Sequence, residues 1–442
     1  SSRSELRLLF FVHLSINCKD MRMNTKTANN EPFTEIKGQS NAHNETGQHG
    51  ETIKIGSQFV NIDNIYQGVI VSGTPGSENV IEVLSALIKT LIQNNHSMCI
   101  YDYNYPSLTA VIDKTTSERG QSKTEREQSE RAQPYHILDL NDIQCSVRIN
   151  PIHPNMIKNF EDAYHIAELL VQSLVVPKVK HKISFFEASA TLILASAIFF
   201  WVKYYPEKAD LPHVFWFLVG GSNPLQPLEI MMKTPVLMEA LSVFKPILEN
   251  KAADEAVAIC GELVVRLAEI STPESYWVFS GEETPETLSD NQSGNPIRLV
   301  IANSHGSLHC QNTIPLHNFI LAYMTRYFVK NGLKGKTASS VIFEGLQELY
   351  IPKLIECVAL SRASRTSLIL NTNSQNHLKD VYNIDCIPNI IDAGRSPKCK
   401  PIYFPADTLS HPKSLEEMKK SMIKNWIKIR KESETALINS HP

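Results

Sequence analysis

The sequence of 442 residues lacks three features that would assign it directly to a functional class. Its formal net charge is only −3, so neither sign of charge indicates a nucleic-acid or membrane-surface partner. Its eight cysteines include no C-x-x-C pair, which argues against zinc and disulfide frameworks and favours reduced thiols. It also has no run of about 18 apolar residues, the length that a membrane-spanning helix needs. These absences predict a cytoplasmic protein without a membrane span, which would reach the inner membrane only through partners.

Two apolar runs and a His/Cys cluster have ordinary structural explanations. Leu8 to Ile16 is too short to span a bilayer, and Ala188 to Val202 predicts a buried core helix. The sequence begins without Met, and Met21 or Met23 is an alternative start, with the preceding residues translated from upstream. We expect residues 1–52 to be disordered. A loop after a strand explains the cluster better than a metal site, so no metal is predicted at His305, His309, Cys310 and His317.

The most informative stretch is a glycine-rich turn between an apolar strand pattern and a helical pattern. Val69 to Val71 predicts a short buried strand, Gly73 to Ser77 predicts a turn, and a helical pattern begins near Val80. These are the parts of a phosphate-binding loop, in which backbone N–H groups and a helix N-terminus face an anion. The alternative is an ordinary glycine turn that never bound nucleotide.

The residues of this loop lack the groups that hold a triphosphate. The motif G-x-x-x-x-G-K-[ST] places a lysine on the β- and γ-phosphates and a hydroxyl on Mg²⁺. Its eight positions are occupied here by Gly73, Thr74, Pro75, Gly76, Ser77, Glu78, Asn79 and Val80. A carboxylate about 5 Å from a phosphate charge costs about 3 kcal/mol at an effective dielectric constant of about 20. The sequence therefore predicts the scaffold of a nucleotide site without its chemistry.

Strand and helix patterns alternate on either side of a long helical stretch. The predicted strands after the loop are Met98–Asp102, Tyr135–Leu140, Tyr276–Phe279, Arg298–Ala302, Ser340–Phe343 and Ser367–Leu370. Their alternation with helices predicts an α/β fold with a mainly parallel sheet covered on both faces. The predicted helices between them are Phe160–Leu174, Phe185–Tyr204, Val214–Leu218, Leu228–Met232, Val236–Leu248 and Ala253–Ile270. We therefore predict an all-α domain inserted into the α/β domain.

The domain division follows from these patterns. The predicted segments are 53–158 and 272–412 for the α/β domain, 159–271 for the all-α insertion, 113–134 for a hydrophilic insertion, and 413–442 for a basic C-terminal helix and tail. A capping box at Ser414 to Glu417 opens that last helix. Its apolar stripe predicts docking, with the lysines in water, whereas the alternative is a contact surface for DNA or an acidic partner.

Several stretches between Phe59 and Asp392 follow one another in a recognisable order. They are Phe59–Tyr66 with Val69–Ser77, then Ile100–Tyr103, Asn150–Ile152, Phe185–Glu187, Ser275–Val278 and Ser340–Leu346. This order resembles the conjugative coupling proteins of type IV secretion, the TraG/TraD type, and especially their branch in Bacteroidetes mobile elements. The resemblance implies a RecA-like P-loop NTPase fold and a hexamer that uses ATP to move single-stranded DNA, with its relaxase, into the secretion channel.

The resemblance also identifies a second place where the chemistry of a motor is missing. In the slot of the family's Walker B Asp-Glu pair, this chain has Glu344 and Gly345. Glu344 could approach a metal ion, but Gly345 has no side chain to act as a base. The family's downstream arginine and glutamine have only loose matches, Arg362 and Gln375.

The failure of both motifs favours a pseudo-ATPase, a degenerate coupling-protein homologue that acts as a binding or adaptor subunit and needs no cofactor. The partners implied by the resemblance are relaxosome or secretion-channel proteins, single-stranded DNA, and a homo- or hetero-hexamer. Two alternatives stay open. One is an ATP- and Mg²⁺-dependent, DNA-translocating coupling protein with a non-standard site, and the other is a decayed gene product without activity.

Overall fold

Nine strands are present in the part of the chain that the structure, a computed structural model, describes. That part comprises residues 51–55, 58–120, 135–175, 184–220, 223–246, 253–288, 296–304, 313–335, 338–384, 387–393 and 415–439. All of it belongs to one compact unit, Gln48–Pro442. The strands are β1 Glu51–Ile55, β2 Gln58–Ile62, β3 Val69–Ser72, β4 Ser97–Asp102, β5 His136–Asp139, β6 Arg298–Ala302, β7 Ser339–Phe343, β8 Thr366–Thr372 and β9 Asn389–Asp392.

Seven of these strands form one parallel sheet. Their order is β5-β6-β4-β7-β8-β3-β9, and β1 and β2 form a separate antiparallel pair. The register places Ser72 opposite both Thr372 and Asp392, so the carboxyl ends of β8, β3 and β9 lie together at one edge. Apart from the edge strand β9, the strands are mostly apolar and buried because both faces are covered, which confirms the predicted α/β fold with a mainly parallel sheet.

Helices cover the two faces of the sheet. They are α1 Glu78–Gln93, α2 Ser107–Gly120, α10 Ile314–Leu333, α11 Leu354–Ser364 and α12 Gln375–Tyr382. Side chains alternate along each strand, so Val69 and Val71 join the core beneath α1 and α2, whereas Ile70 joins the core that contains α10. The strands of the sheet other than the edge strand β9 therefore contribute to two apolar layers.

The helical block lies between β5 and β6 in the chain. Its helices are α3 Phe160–Ser173, α4 Phe185–Tyr204, α5 Leu211–Val219, α6 Gln226–Met232, α7 Pro235–Met238, α8 Ala253–Ile270 and α9 Pro273–Phe279. The prediction of a strand at Tyr276–Phe279 is wrong, because Thr272 and Ser275 form a reciprocal cap that starts a helix there. The predicted helix Val236–Leu248 is instead the short α7 followed by a 3-10 turn at Ser242–Phe244, and Leu248 lies outside the described residues.

The long apolar helix α4 is part of the core of the helical block. By length and composition it could cross a bilayer, and it is the one such helix among the described residues. However, 61% of its apolar window is buried inside the protein, and the helix packs against α3 and α5. The predicted core helix at Ala188–Val202 is therefore found in the core.

Other local predictions fall partly outside the described residues. Of the predicted disordered segment 1–52, only Glu51 and Thr52 are described, and they begin β1. Helix α2 takes up the first residues of the predicted insertion 113–134, and residues 121–134 are not described. His317 is fully buried in α10, 5.6 Å from the ring of Tyr101, and the other members of its cluster are not described.

The last helix, α13 Leu415–Asn439, docks on α5 and α9. Its buried residues are Met418, Met422, Ile429 and Ser433. Asn425 donates from Nδ2 to Ser280 Oγ at 2.8 Å, and Arg430 lies 5.2 Å from the ring of Trp216. The predicted docking of the apolar stripe is present, whereas Ser414 of the predicted capping box lies outside the described residues.

A buried histidine connects α13 to the helical block. His213 Nδ1 lies 2.6 Å from Asp210 Oδ1, and His213 Nε2 lies 3.0 Å from Glu432 Oε2. Ionised carboxylates only accept hydrogen bonds, so both ring nitrogens donate when the ring carries its second proton. Burial alone would lower the pKa of His213, but Asp210 and Glu432 outweigh it and raise that pKa above the ordinary value of 6.5.

We predict that this contact stabilises the fold at low pH and weakens as pH rises through the raised pKa of His213. Its contribution should be complete below the ordinary pKa of about 6.5. His213→Gln should therefore lower the free energy of unfolding by about 2 kcal/mol at about pH 5.5, and by less at about pH 9. Urea unfolding at both pH values measures this. His153→Gln, at a surface contact to Glu282, is the control, and an equal loss at both pH values would contradict the prediction.

Candidate nucleotide-binding site

The predicted strand, turn and helix of the glycine-rich loop are present. Strand β3 ends at Ser72, residues 73–77 form the loop, and α1 begins at Glu78. The Gly73 N–H donates to the Thr372 carbonyl at 3.1 Å, which fixes the start of the loop to β8. Gly76 has φ of +71°, a left-handed conformation that a glycine adopts without strain. The backbone therefore has the layout of a phosphate-binding loop.

A carboxylate of the protein itself occupies an anion-binding position in this loop. The Gly76 N–H donates to Glu344 Oε1 at 3.0 Å, and the Tyr103 N–H donates to Glu344 Oε2 at 3.0 Å. Glu344 directly follows β7 and reaches the loop past β8, which lies between β7 and β3. Its side chain is fully buried. An N–H group of the kind that would face a phosphate therefore already has an anionic partner.

The protonation of Glu344 depends on burial and on a second carboxyl group. Burial, together with repulsion from Asp102, raises the pKa of Glu344 from 4.5 to about 7, although N–H groups of Gly76, Tyr103 and Asn104 oppose the shift. Asp102 ends β4 and is also fully buried. Its Oδ2 accepts hydrogen bonds from the Leu108 and Thr109 N–H groups and from the Thr109 hydroxyl. Asp102 thus holds the start of α2 while it disfavours charge on Glu344.

Asn371 joins the loop to the Walker B slot. Gly345 has φ of +70°, and its N–H donates to Asn371 Oδ1 at 2.9 Å. Asn371 Nδ2 in turn donates to the Val71 carbonyl at 3.0 Å and to the Gly73 carbonyl at 3.1 Å. A side chain at Gly345 would place its Cβ 3.3 Å from Pro75, which shows how closely the slot approaches the loop. Asn371 was not predicted as a site residue, and its only sequence signal is a polar residue directly after the apolar run Ser367–Leu370.

The remaining loop positions are packed or point to solvent. Val80 stands where the motif has its Mg²⁺-binding hydroxyl and is fully buried. A Cβ added at Gly73 would lie 2.7 Å from Val80 Cγ2 and 3.1 Å from Ala393 Cβ, so these side chains fill the space beside the loop. Glu78 is exposed at the first position of α1, where a negative charge favours the helix dipole. Asn79, at the lysine position, carries no charge.

These residues do not fit a Mg²⁺-bound triphosphate. The loop offers no cation at positions 73–80, and it has an anion at Glu78 and the Glu344 carboxyl group on the Gly76 N–H. A phosphate bound at the Gly76 N–H would have to displace Glu344, and the Val80 side chain has no oxygen with which to hold a metal ion. The loop is joined to the sheet by hydrogen bonds to Glu344, Asn371 and Thr372. We call this arrangement the closed loop.

The two loosely matched residues, Arg362 and Gln375, lie beyond opposite ends of strand β8. Gln375 is the first residue of α12, directly beyond the carboxyl end of β8, so it shares the edge with the loop. Arg362 lies in the last turn of α11, before β8 begins, and is exposed. A strand rises about 3.3 Å per residue, so the length of β8 separates Arg362 from the loop. The chain therefore brings together the loop, Glu344 and Gly345, and leaves Arg362 apart.

The fold is found in solved structures of conjugative coupling proteins. The trigonal form of the bacterial conjugative coupling protein TrwBdeltaN70, in complex with sulphate, has a TM-score of 0.51 and 16% identity, covering 76% of this chain and 70% of that one. Its unbound monoclinic form has a TM-score of 0.54 and 15% identity, covering 76% and 68%. TrwB in complex with the ATP analogue ADPNP has a TM-score of 0.50 and 15% identity, covering 72% and 66%.

These comparisons define the class of fold. The chain has a P-loop NTPase fold of the coupling-protein type, as the order of its motifs predicted. At such low identity the likeness concerns the fold alone. No protein-family model matches the sequence, and a search of curated proteins finds no match.

We predict that Glu344 makes the stability of the protein depend on pH. Its folded-state pKa of about 7 exceeds the ordinary 4.5, so the folded protein holds a proton that the unfolded chain releases. The contribution of Glu344 to the free energy of unfolding should fall by about 3 kcal/mol as pH rises from 4.5 to 7. Glu344→Gln should remove this slope in urea unfolding measured over that range. Glu348→Gln, on the exposed side of the following turn, should keep it, and an unchanged slope in Glu344→Gln would count against the assignment.

We predict that the closed loop depends on Asn371. Asn371→Ala removes one acceptor and two donated hydrogen bonds from buried backbone groups, which should lower the free energy of unfolding by about 3 kcal/mol. Urea unfolding at constant pH measures the loss. Asn373→Ala, two residues further on at an exposed position, should change it by less than about 0.5 kcal/mol. Equal stabilities of the two variants would mean that the Asn371 bonds do not support the loop.

Proposed function

We propose that the protein is a non-hydrolysing homologue of conjugative coupling proteins, which acts as a binding or adaptor subunit in DNA transfer by type IV secretion. The observation that carries this proposal is the hydrogen bond from the Gly76 N–H to the Glu344 carboxyl group. The substitutions at Glu78, Asn79 and Val80 support it, because they remove the cation and the metal-binding hydroxyl from the same loop.

The charges around the loop disfavour ATP hydrolysis and leave the fold intact. Phosphoryl transfer depends almost entirely on positioning and on neutralising the charge of the phosphates. Two carboxyl groups, Glu344 and Asp102, and the exposed Glu78 lie around this loop, and positions 73–80 include no cation. Gly345 supplies no base to orient a water molecule. The buried apolar layers, by contrast, do not depend on any of these positions.

The partners of the proposed subunit follow from the likeness to coupling proteins. We propose association with relaxosome or secretion-channel proteins, and with an active coupling protein in a homo- or hetero-hexamer. Single-stranded DNA is a further candidate partner. We also propose that residues 159–271 act as an all-α domain and residues 53–158 with 272–412 as the NTPase-like domain, at the cytoplasmic face of the inner membrane.

The alternative of a working ATPase rests on the fold that this chain shares with TrwB in complex with ADPNP, a non-hydrolysable ATP analogue. In that case, Mg²⁺ and ATP would be held by groups other than the usual lysine and hydroxyl. Glu344 is the one acidic group at the slot that could approach a metal ion, and it would first have to leave the Gly76 N–H. The third reading, a decayed gene product, shares the closed loop but predicts no partner.

We predict that the wild-type protein shows no saturable binding of a fluorescent ATP analogue with Mg²⁺ and releases no phosphate above background. The triple variant Glu78→Gly, Asn79→Lys and Val80→Ser should gain binding, because it restores the cation and the hydroxyl. Adding Glu344→Gln should strengthen binding about tenfold or more, because removing the competing charge is worth at least about 1.4 kcal/mol. Fluorescence titration and a phosphate-release assay measure both effects.

The same proteins separate the three readings. Micromolar binding or turnover by the wild type would overturn the pseudo-ATPase and favour the ATPase with replacement groups. Lys89→Glu, an exposed change on the far part of α1, is the control for altered charge outside the loop. A pull-down that recovers an active coupling protein or a relaxase supports the adaptor role, and recovery of no secretion component would favour a decayed gene product.

A further inference from the structure

The outer face of α13 carries two isoleucines that no other part of the described chain covers. Ile423 is 50% exposed and Ile427 is 44% exposed, although both belong to a helix that is docked on the protein. They are four residues apart and therefore lie one turn apart on the same face. Exposed apolar side chains that occur singly are ordinary, but adjacent ones rimmed by polar groups mark interaction surfaces. We call this pair and its surrounding lysines the outer face of α13.

Lysines surround the two isoleucines. Lys420 and Lys424 line the shallow groove between them, and three further lysines extend the positive charge along the helix: Lys419, Lys428 and Lys431. All five are exposed. The chain as a whole carries a net charge of −3, whereas these five lysines lie on one helix, on which Glu417 is also exposed and Glu434 pairs with Arg430. A partner that matches it must offer apolar side chains along a line with negative charges on both sides.

The face is held in place before any partner arrives. Met418, Met422 and Ile429 anchor the opposite side of α13 in the core, and Glu432 contacts His213. A helix that is already ordered loses little conformational entropy on binding. The outer face of α13 is therefore a surface that is already ordered before binding.

We propose that this face binds an acidic amphipathic helix of a partner protein, with apolar residues on Ile423 and Ile427 and glutamates or aspartates beside the lysines. Apolar seam positions flanked by opposite charges are the pairing rule of two helices side by side. A second copy of α13 would set lysine against lysine, which disfavours self-association.

Two other partners fit the face less well. A nucleic acid would use the lysines but has no use for isoleucines at the centre, and such surfaces usually add exposed aromatic side chains for stacking. A membrane-surface helix needs a wide apolar face with Trp, Phe or Leu, whereas this one offers two isoleucines in a line. Charge and shape together therefore favour a helix.

This inference names a partner class for the adaptor role and in that sense rests on the proposed function, but its test is separate. The probe is a designed peptide of about three heptads with leucines at the seam and glutamates beside them. Fluorescence anisotropy with the full chain should show saturable binding, and a scrambled peptide of the same composition should bind at least tenfold more weakly. The ATP titrations test the glycine-rich loop and the start of α1, whereas the peptide titrations test α13. Either experiment can therefore fail without the other.

Two surface variants test the two parts of the face. Ile423→Ser with Ile427→Ser, and separately Lys420→Glu with Lys424→Glu, should each weaken peptide binding at least tenfold. Ile355→Ser with Lys89→Glu is the matched control, because Ile355 is 41% exposed on α11 and Lys89 is exposed on α1. Circular dichroism and urea unfolding should show that all variants fold like the wild type. Loss of binding in both face variants but not in the control supports the proposal.

Three outcomes would overturn it. The first is binding of the scrambled peptide as tightly as the designed one. The second is tighter binding to a single-stranded oligothymidylate, with the lysine variant affected and the isoleucine variant unchanged, which would assign the face to nucleic acid. The third is tighter binding to phosphatidylglycerol vesicles, or a concentration-dependent dimer that the isoleucine variant abolishes, which would assign it to a membrane or to a second copy.

Discussion

The buried carboxyl group of Glu344 holds the glycine-rich loop in its closed conformation. Glu344 accepts hydrogen bonds from Gly76 in the loop and from Tyr103 after β4, so it connects three neighbouring parts of the sheet edge. The Glu344 carboxyl group itself lies on a loop N–H group of the kind that binds an anion. Burial and the nearby Asp102 make its charge costly, and a proton relieves that cost. The conformation of the loop and the pH dependence of stability therefore involve the same contact.

The other substitutions in the loop agree with this closed state. Val80 packs beside Gly73 where a hydroxyl would face Mg²⁺, and Asn371 holds the Gly73 carbonyl and the Gly345 N–H at once. Both side chains make these contacts inside the protein. A loop that is stable without a ligand needs partners within the protein for its buried polar groups, because buried polar groups that are only partly hydrogen-bonded would destabilise it. The frame of a P-loop NTPase is thus retained with a different set of internal bonds.

The part of the molecule available for binding lies away from the loop. Helix α13 is fastened to the helical block by an apolar stripe and by the contact between Glu432 and His213, while its lysines face solvent. One face of α13 docks on the helical block and the opposite face stays exposed. The C-terminal helix therefore presents a fixed surface without forming a separate domain.

The sequence alone determined the class of fold and the missing chemistry. A continuous apolar run and helical apolar patterns placed β3, α1 and most of the helical block. The identities of Glu78, Asn79, Val80 and Gly345 show that the usual Walker residues are absent, because those facts are local. It misassigned Tyr276–Phe279, where a cap and a proline outweigh an apolar run. Only the tertiary structure decided that Glu344 and Asn371 meet the loop, since strands β7 and β8 bring them there from some 270 to 300 residues away. Such contacts depend on strand order and register, which no local pattern encodes.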